Sequence, residues 1–172
     1  MRRGPGHRRR GQALVEFALV IPIFLLVLFG LLDMGRAVYA NHTLNQAARE
    51  AARLAATQAH WVGNPMAEAT CNTPAGPVCP ADMAALKANV DAAANRMAVG
   101  LGTIPSAQIY MQCNPSTSAA PTGAWTGSSC ANNNATNLVS IRIAYTHTMI
   151  TPIVGQVANN FSLSSSVTMV IN

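Results

Sequence analysis

The sequence predicts an α+β protein, in which a long N-terminal transmembrane helix continues into an outer domain with a second helix and a small antiparallel sheet. Three observations support this fold class. The region 13–32 is almost entirely apolar, a helical apolar pattern recurs further along, and the last part of the chain carries apolar residues at alternate positions. A chain of 172 residues is long enough for one small domain beside a membrane anchor.

The net charge of +5 comes from the N-terminal end of the chain. The first ten residues contain five arginines: Arg2, Arg3, Arg8, Arg9 and Arg10. The six other basic residues balance the six acidic ones. A short basic segment without interleaved aromatic residues lacks the pattern of a nucleic-acid-binding surface, so we expect no nucleic-acid partner.

The segment Ala13–Leu32 has the length and composition of a transmembrane helix, with Glu16 as its only charged residue. At about 1.5 Å per residue it reaches about 30 Å, the thickness of the hydrocarbon core of a bilayer. By the positive-inside rule, the arginines predict a cytoplasmic N-terminus and a periplasmic or extracellular C-terminal domain on a single-pass inner-membrane protein. Asp33 and Arg36 would mark the point where the helix leaves the hydrocarbon.

A secretory signal peptide is an alternative interpretation of this N-terminus, because such peptides also begin with basic residues. Their apolar region is usually only about 7 to 15 residues long and carries no carboxylate, which argues against this interpretation. The residues Val38, Tyr39 and Ala40 would nevertheless offer a small-residue cleavage site after the apolar run.

Glu16 is unusual because a carboxylate inside a membrane segment is costly and is normally retained for a partner or a function. The basic leader ends at Gly11, and Glu16 is the fifth residue after it. This arrangement resembles the type IV prepilin cleavage signal. The resemblance implies that a prepilin peptidase cuts after Gly11, leaving Gln12 as the new N-terminus and the apolar helix in place. A residue without a Cβ also allows a protease to approach an extended backbone closely.

Several short motifs between Gly11 and Ala56 narrow this resemblance by their order and spacing. They are Ala13-Leu-Val-Glu-Phe-Ala, Pro22, Gly30, Asp33 followed by Gly35-Arg36, and Gln46-Ala-Ala-Arg-Glu-Ala-Ala-Arg. Together they resemble the TadE-like family of the tight-adherence (Tad/Flp) pilus systems. The resemblance implies a pseudopilin or minor pilin that contributes to pilus assembly and surface adherence. Its partners would be the prepilin peptidase, other pilins and pseudopilins, and Tad assembly proteins.

The resemblance also implies a role for Glu16, which would neutralise the new amino group of Gln12, in its own chain or a neighbour's, during assembly. In the alternative interpretation, Glu16 lies close enough to the membrane interface to reach water and does nothing else. Pro22 removes one backbone hydrogen bond and predicts a bend in the helix. By the resemblance, this bend would loosen when subunits join a filament, although ordinary membrane helices tolerate proline as well.

Beyond the membrane segment, the sequence predicts that the helix continues to about Gln58, with a stripe of small apolar residues at helical spacing: Leu44, Ala48, Ala51 and Ala55. The stripe would pack in the core of the outer domain or against a neighbouring subunit. A second helix is predicted from Asp82, its N-cap, to about Val99. Its predicted buried face consists of Met83, Leu86, Val90, Ala94 and Met97, with Lys87 and Asp91 paired on the outside.

Three strands are predicted from alternating apolar residues, at about 107–113, 139–145 and 163–171. The predicted organisation is a leader at 1–11, a transmembrane helix at 12–33, a helical stalk at 34–60 and an outer α+β domain at 61–172.

The four cysteines, Cys71, Cys79, Cys113 and Cys130, all follow the membrane segment and would lie where disulfides persist. Three pairings are possible. We prefer Cys71 with Cys79 and Cys113 with Cys130, because each pair flanks one loop rich in proline or glycine. A zinc site is the competing interpretation, but the sequence has no C-x-x-C pair, and His60 and His147 stand apart.

The sequence contains no nucleophile elbow, HExxH motif, Walker A loop or complete GxGxxG motif. We therefore expect neither a catalytic activity nor a cofactor or metal. Two functions remain. The chain is either a pilin-like protein that enters or primes a filament, or a permanently membrane-anchored binding module whose loops hold a ligand. Removal of the leader and departure of the helix from the bilayer distinguish the two.

Overall fold

The computed structural model describes residues 7–59, 62, 82–113, 121, 138–150 and 161–171. Its elements are helix α1 (His7–Gln58), helix α2 (Met83–Met97) and strands β1 (Ile109–Cys113), β2 (Leu138–His147) and β3 (Phe161–Val170). The predicted α+β class is confirmed, with a long apolar N-terminal helix, a second helix and a small three-stranded antiparallel sheet.

The chain divides into two compact units. The first comprises Met1–Val38 and Thr148–Phe161, and the second comprises Tyr39–His147 and Ser162–Asn172. The first unit therefore holds the apolar part of α1 and the start of the connection between β2 and β3. The four-part division predicted from the sequence is finer than this one and stays a prediction.

In the first unit, α1 exposes its apolar side chains. From Gly11 onward the helix is long and apolar enough to cross a membrane, and none of its most apolar stretch is buried within the chain. Leu19, Ile23 and Phe24 are each about three-fifths exposed or more. The helix continues through Pro22, and the bend predicted there stays a prediction.

In the second unit, α1 changes from large exposed side chains to small buried ones. The predicted stripe, Leu44, Ala48, Ala51 and Ala55, lies in the hydrophobic core, and Ala47, Ala52, Ala56 and Ala59 widen it. Small side chains allow a packed element to come close to the helix backbone. On the exposed side Arg53 donates to Glu50 at 2.7 Å, and this hydrogen bond lowers the pKa of the Glu50 carboxyl.

Helix α2 begins at the predicted N-cap. The Asp82 side chain accepts a hydrogen bond from the backbone N–H of Ala85 at 2.7 Å, which satisfies one of the N–H groups that a helix start leaves open. Four residues of the predicted buried face, Met83, Leu86, Val90 and Ala94, are buried. The prediction for Met97 is wrong, because its side chain is 43% exposed and Ala98, the C-cap, is buried instead.

The predicted pair of Lys87 and Asp91 is confirmed, but its predicted position on the outside is wrong. Lys87 is only 8% exposed. Its Nζ bonds to Asp91 and also donates to the Ser106 hydroxyl at 3.0 Å. Ser106 opens the short 3-10 turn Ser106–Gln108 that precedes β1, and it also bonds to Asp91. This three-residue cluster therefore joins α2 to the start of the sheet.

The three strands are arranged in the order β1-β2-β3. Strands β1 and β2 pair antiparallel with Met111 opposite Ile141 and Ile109 opposite Ile143. Because alternate side chains point to one face, this register places all four on the same face, where all are buried. On the other face, the Arg142 guanidinium lies 5.7 Å from the centre of the Tyr110 ring.

Replacing the N-cap, Asp82→Ala, should lower the free energy of unfolding of the second unit by about 1 kcal/mol, because the Ala85 N–H loses its acceptor. Asp82→Asn keeps a side-chain oxygen at this position and should have a smaller effect. Urea unfolding of the full chain in detergent, followed by circular dichroism, measures both. Equal destabilisation by the two variants would show that the cap hydrogen bond is not the source of the effect.

Candidate processing and assembly site

The residues at the predicted cleavage point lie within α1. A Cβ added to Gly11 would meet no atom within 4 Å, so packing within the chain does not require glycine at this position. A glycine in a helix interior is less favourable than alanine by about 1 kcal/mol. A requirement for glycine here would therefore come from a molecule that binds this backbone at close range.

Gln12 and Glu16 lie one helical turn apart on the same side of α1. The Gln12 side-chain amide donates to Glu16 Oε1 at 3.2 Å, and both side chains are exposed. The amide is a neutral partner, so the negative charge of Glu16 has no compensating cation among the side chains that the structure describes. A carboxylate on an apolar segment favours a nearby cation, and the strongest attraction would come from a positive charge placed near Gln12.

At the other end of the apolar run, Asp33 is buried. It is 7% exposed, and it is the one buried residue in the described part of α1 between Gly11 and Tyr39. The backbone N–H of Ile150 donates to Asp33 Oδ1 at 3.1 Å, and Arg36 Nη1 lies 3.9 Å from the same oxygen.

This contact joins residues 117 positions apart in the sequence, and the sequence does not predict it. A carboxylate directly after an apolar helix predicts the point of exit from the membrane, but no pattern in the sequence pairs it with a particular backbone N–H.

Of the four cysteines, Cys113 lies in the described part of the chain. It ends β1 and is disulfide-bonded. Cys71, Cys79 and Cys130 lie outside the described residues, so the preferred pairing stays a prediction. His147 is buried at the end of β2, and His60 is outside the described residues. Among the residues that the structure describes, no three His, Cys, Asp or Glu side chains gather to form a metal site.

The predicted family resemblance is confirmed over the N-terminal part of the chain. Residues 11–53 match the family model of TadE-like proteins, and the match begins at Gly11 and ends within α1. No curated protein and no solved structure matches the chain. The matched family suggests a pilin-like protein associated with a Tad pilus.

Non-reducing peptide mapping of the full chain, purified from its membrane, should recover one peptide that links Cys113 to Cys130 and another that links Cys71 to Cys79. The pairing follows from the single loop that each pair closes, and closing the longer loop adds on the order of 3 kcal/mol by the chain-entropy model. The double variant Cys71→Ser, Cys79→Ser is the control and should leave the first bridge intact. A peptide that joins Cys113 to Cys71 or Cys79 would contradict the pairing.

Proposed function

We propose that this chain is a pseudopilin or minor pilin of a Tad-type pilus, cleaved after Gly11 by a prepilin peptidase and contributing to pilus assembly and surface adherence. The observation that carries the proposal is the match of residues 11–53 to the TadE-like family. It begins at the proposed cleavage residue and includes the apolar helix and its carboxylate.

The exposed apolar surface of α1 supports a membrane anchor. Large apolar side chains are exposed from Leu14 to Leu32. Soluble monomers rarely expose a contiguous apolar surface of this extent. The arginines before the apolar run would hold the N-terminus in the cytoplasm, and the residues after Asp33 would lie in the periplasm or outside the cell. The protein would therefore be a single-pass protein of the inner membrane before assembly.

The position of Gly11 supports proteolytic processing. The peptidase would act on the cytoplasmic side, at the junction between the basic leader and the apolar helix. Since a side chain on Gly11 would be accommodated by the chain itself, the absence of a side chain would serve recognition of the backbone by the peptidase. The cut would free the amino group of Gln12.

Cleavage would change the electrostatics around Glu16. In the precursor the nitrogen of Gln12 belongs to a neutral peptide group, whereas after the cut it becomes an ammonium group one helical turn from the carboxylate. Glu16 would then pair with the ammonium group of its own chain or of a neighbour, which would align the helices of adjacent subunits.

In this proposal, the partners are the prepilin peptidase, other pilins and pseudopilins, the Tad assembly proteins and the inner membrane. A permanently anchored binding module would use the same anchor, but it would keep its leader or remain in the bilayer. N-terminal sequencing of the protein purified from its membrane tests removal of the leader, and recovery in a sheared surface fraction tests departure from the bilayer. A start at Gln12 supports processing, and a start at Met1 or Asn41 contradicts it.

Gly11→Val should leave an uncleaved precursor in the membrane, because a branched side chain obstructs the approach of a protease to the backbone. Immunoblots of cells that also express the cognate peptidase would show the larger species. Gly35→Val is a matched control on the same helix, since a Cβ there also meets no atom within 4 Å, and this variant should be cleaved normally. Accumulation of mature-sized Gly11→Val protein would show that the cleavage site is wrong.

Glu16→Ala should preserve insertion and leader removal but prevent assembly, because the segment becomes more apolar while the partner of the new amino group is lost. Glu16→Gln, which keeps the size without the charge, should have the same effect. The measurement compares membrane and sheared surface fractions from cells that carry each variant. Glu50→Ala, which removes a partly exposed carboxylate further along α1, should assemble normally. Normal recovery of the Glu16 variants in the sheared fraction would exclude the assembly role.

A further inference from the structure

Asp33 holds the start of the connection between β2 and β3 against α1, at the position where the apolar run ends. Its carboxylate accepts the backbone N–H of Ile150 at 3.1 Å, and Thr148–Phe161 forms one compact unit with Met1–Val38. From Gln12, α1 rises by about 30 Å to Asp33, which is the thickness of a hydrocarbon core. Ile150 is therefore held at the outer boundary of the proposed membrane segment.

Ile150 faces outward at this boundary. Its side chain is 60% exposed, although its backbone is bonded to a buried carboxylate. At the same level of α1, Leu32 and Met34 are 55% and 67% exposed. We name these three residues the exit patch. Exposed apolar side chains from two separate parts of the chain thus lie at the same level along the axis of α1.

The composition of the sequence around Ile150 is compatible with a position at the boundary of the membrane. Between Thr148 and Phe161 the chain has no charged residue, and its larger apolar residues are Met149, Ile150, Pro152, Ile153, Val154 and Val157. A connection between strands on a water-exposed domain is usually polar. The lack of charge is therefore unusual for such a connection, and it is compatible with an apolar environment at Ile150.

We propose that the exit patch rests on the outer surface of the lipid bilayer as a second membrane contact, with Asp33 as the latch that holds Ile150 there. The inference rests on the proposed membrane anchor and specifies how the chain meets the membrane at its exit. The bilayer is the occupant because the patch is continuous with the apolar surface of α1, which the same bilayer would cover.

The polar groups of the patch fit this environment. A backbone N–H that enters the boundary of the hydrocarbon needs an acceptor from the protein, and Asp33 supplies it to Ile150. The Arg36 side chain lies beside Asp33 and is half exposed. A basic side chain one turn beyond the apolar run reaches the level of the lipid phosphates, where it interacts favourably with them.

Lipid-quenching fluorescence on the full chain tests the proposal. The variant Ile150→Cys is labelled with an environment-sensitive dye and reconstituted in phosphatidylcholine–phosphatidylglycerol vesicles at a high lipid-to-protein ratio. The lipids carry a nitroxide either near the headgroup or near the end of the acyl chain. We expect quenching that is several-fold stronger with the shallow nitroxide than with the deep one.

Two further label positions calibrate the result. Leu26→Cys, in the middle of the apolar run, should be quenched by the deep nitroxide. Asn41→Cys, on an exposed position about 12 Å beyond Asp33 along α1, should be quenched by neither. If the Leu26 label is not quenched, the proposed membrane anchor fails and the inference fails with it. If the Leu26 label is quenched and the Ile150 label is not, the anchor stands and the inference is overturned.

The latch is tested in the Ile150→Cys background. Asp33→Ala removes the acceptor and should abolish the shallow quenching, whereas Asp33→Asn keeps a side-chain oxygen and should retain it. Loss of quenching in Asp33→Ala with deep quenching at Leu26 retained supports the latch, because the anchor is then intact. Unchanged quenching in Asp33→Ala overturns it. A label that is shielded from both nitroxides, with emission that depends on protein density, would indicate a contact with a second copy of the chain and would also overturn the proposal.

Discussion

The apolar surface of the first part of α1 is the constraint on which the rest of the molecule depends. This helix segment carries large apolar side chains on all sides, and the chain itself buries none of its most apolar stretch. The hydrophobic effect makes such a surface unfavourable in water by about 25 cal/mol for each Å². A bilayer or neighbouring helices would remove this surface from water, and every polar group along the segment would then have to be compatible with an apolar environment.

The two carboxylates near the ends of the apolar run meet this requirement in different ways. Asp33 is satisfied within the chain, because the Ile150 N–H donates to it and Arg36 lies nearby. Glu16 is bonded to the neutral amide of Gln12, and within the described part of the chain no cation pairs with its charge. Under the proposed function, this difference separates a carboxylate that fixes the structure of one subunit from a carboxylate that becomes fully paired after cleavage and during assembly.

Local sequence signals predicted the elements of the fold well. The N-cap at Asp82, the end of α1 at Gln58 and the three strands each depend on residues close together in the sequence, and the structure confirms them. The wrong predictions concern residues whose burial is determined by tertiary contacts. Helical spacing placed Met97 in the core, but α2 ends at this residue and the chain turns, with Gly100 at a φ of +82°. Ala98 therefore takes the buried position.

The same limit applies to the polar groups. The sequence paired Lys87 with Asp91 correctly, since they are one helical turn apart, but it could not show that Ser106 would cover them. The contact between Asp33 and Ile150 is likewise invisible to periodicity, because nothing in either segment alone specifies the other. At the candidate site, the contact between Gln12 and Glu16 follows from their spacing along one helix, while the roles of Gly11, Gln12 and Glu16 stay predictions.

Side-chain size differs between the two parts of α1. The part with small buried side chains packs within the fold, and the part with large exposed side chains would serve assembly. Beyond Ala40 its buried residues are mostly alanines, which fix close packing within the second unit. Before Asp33 its side chains are large and exposed. They are suited to contact with lipid or with the helices of other subunits. A substitution such as Glu16→Ala therefore acts on a surface that the core of the second unit does not use. Because the two surfaces occupy different stretches of the helix, loss of assembly in such a variant can be assigned to the helix surface rather than to unfolding of the outer domain.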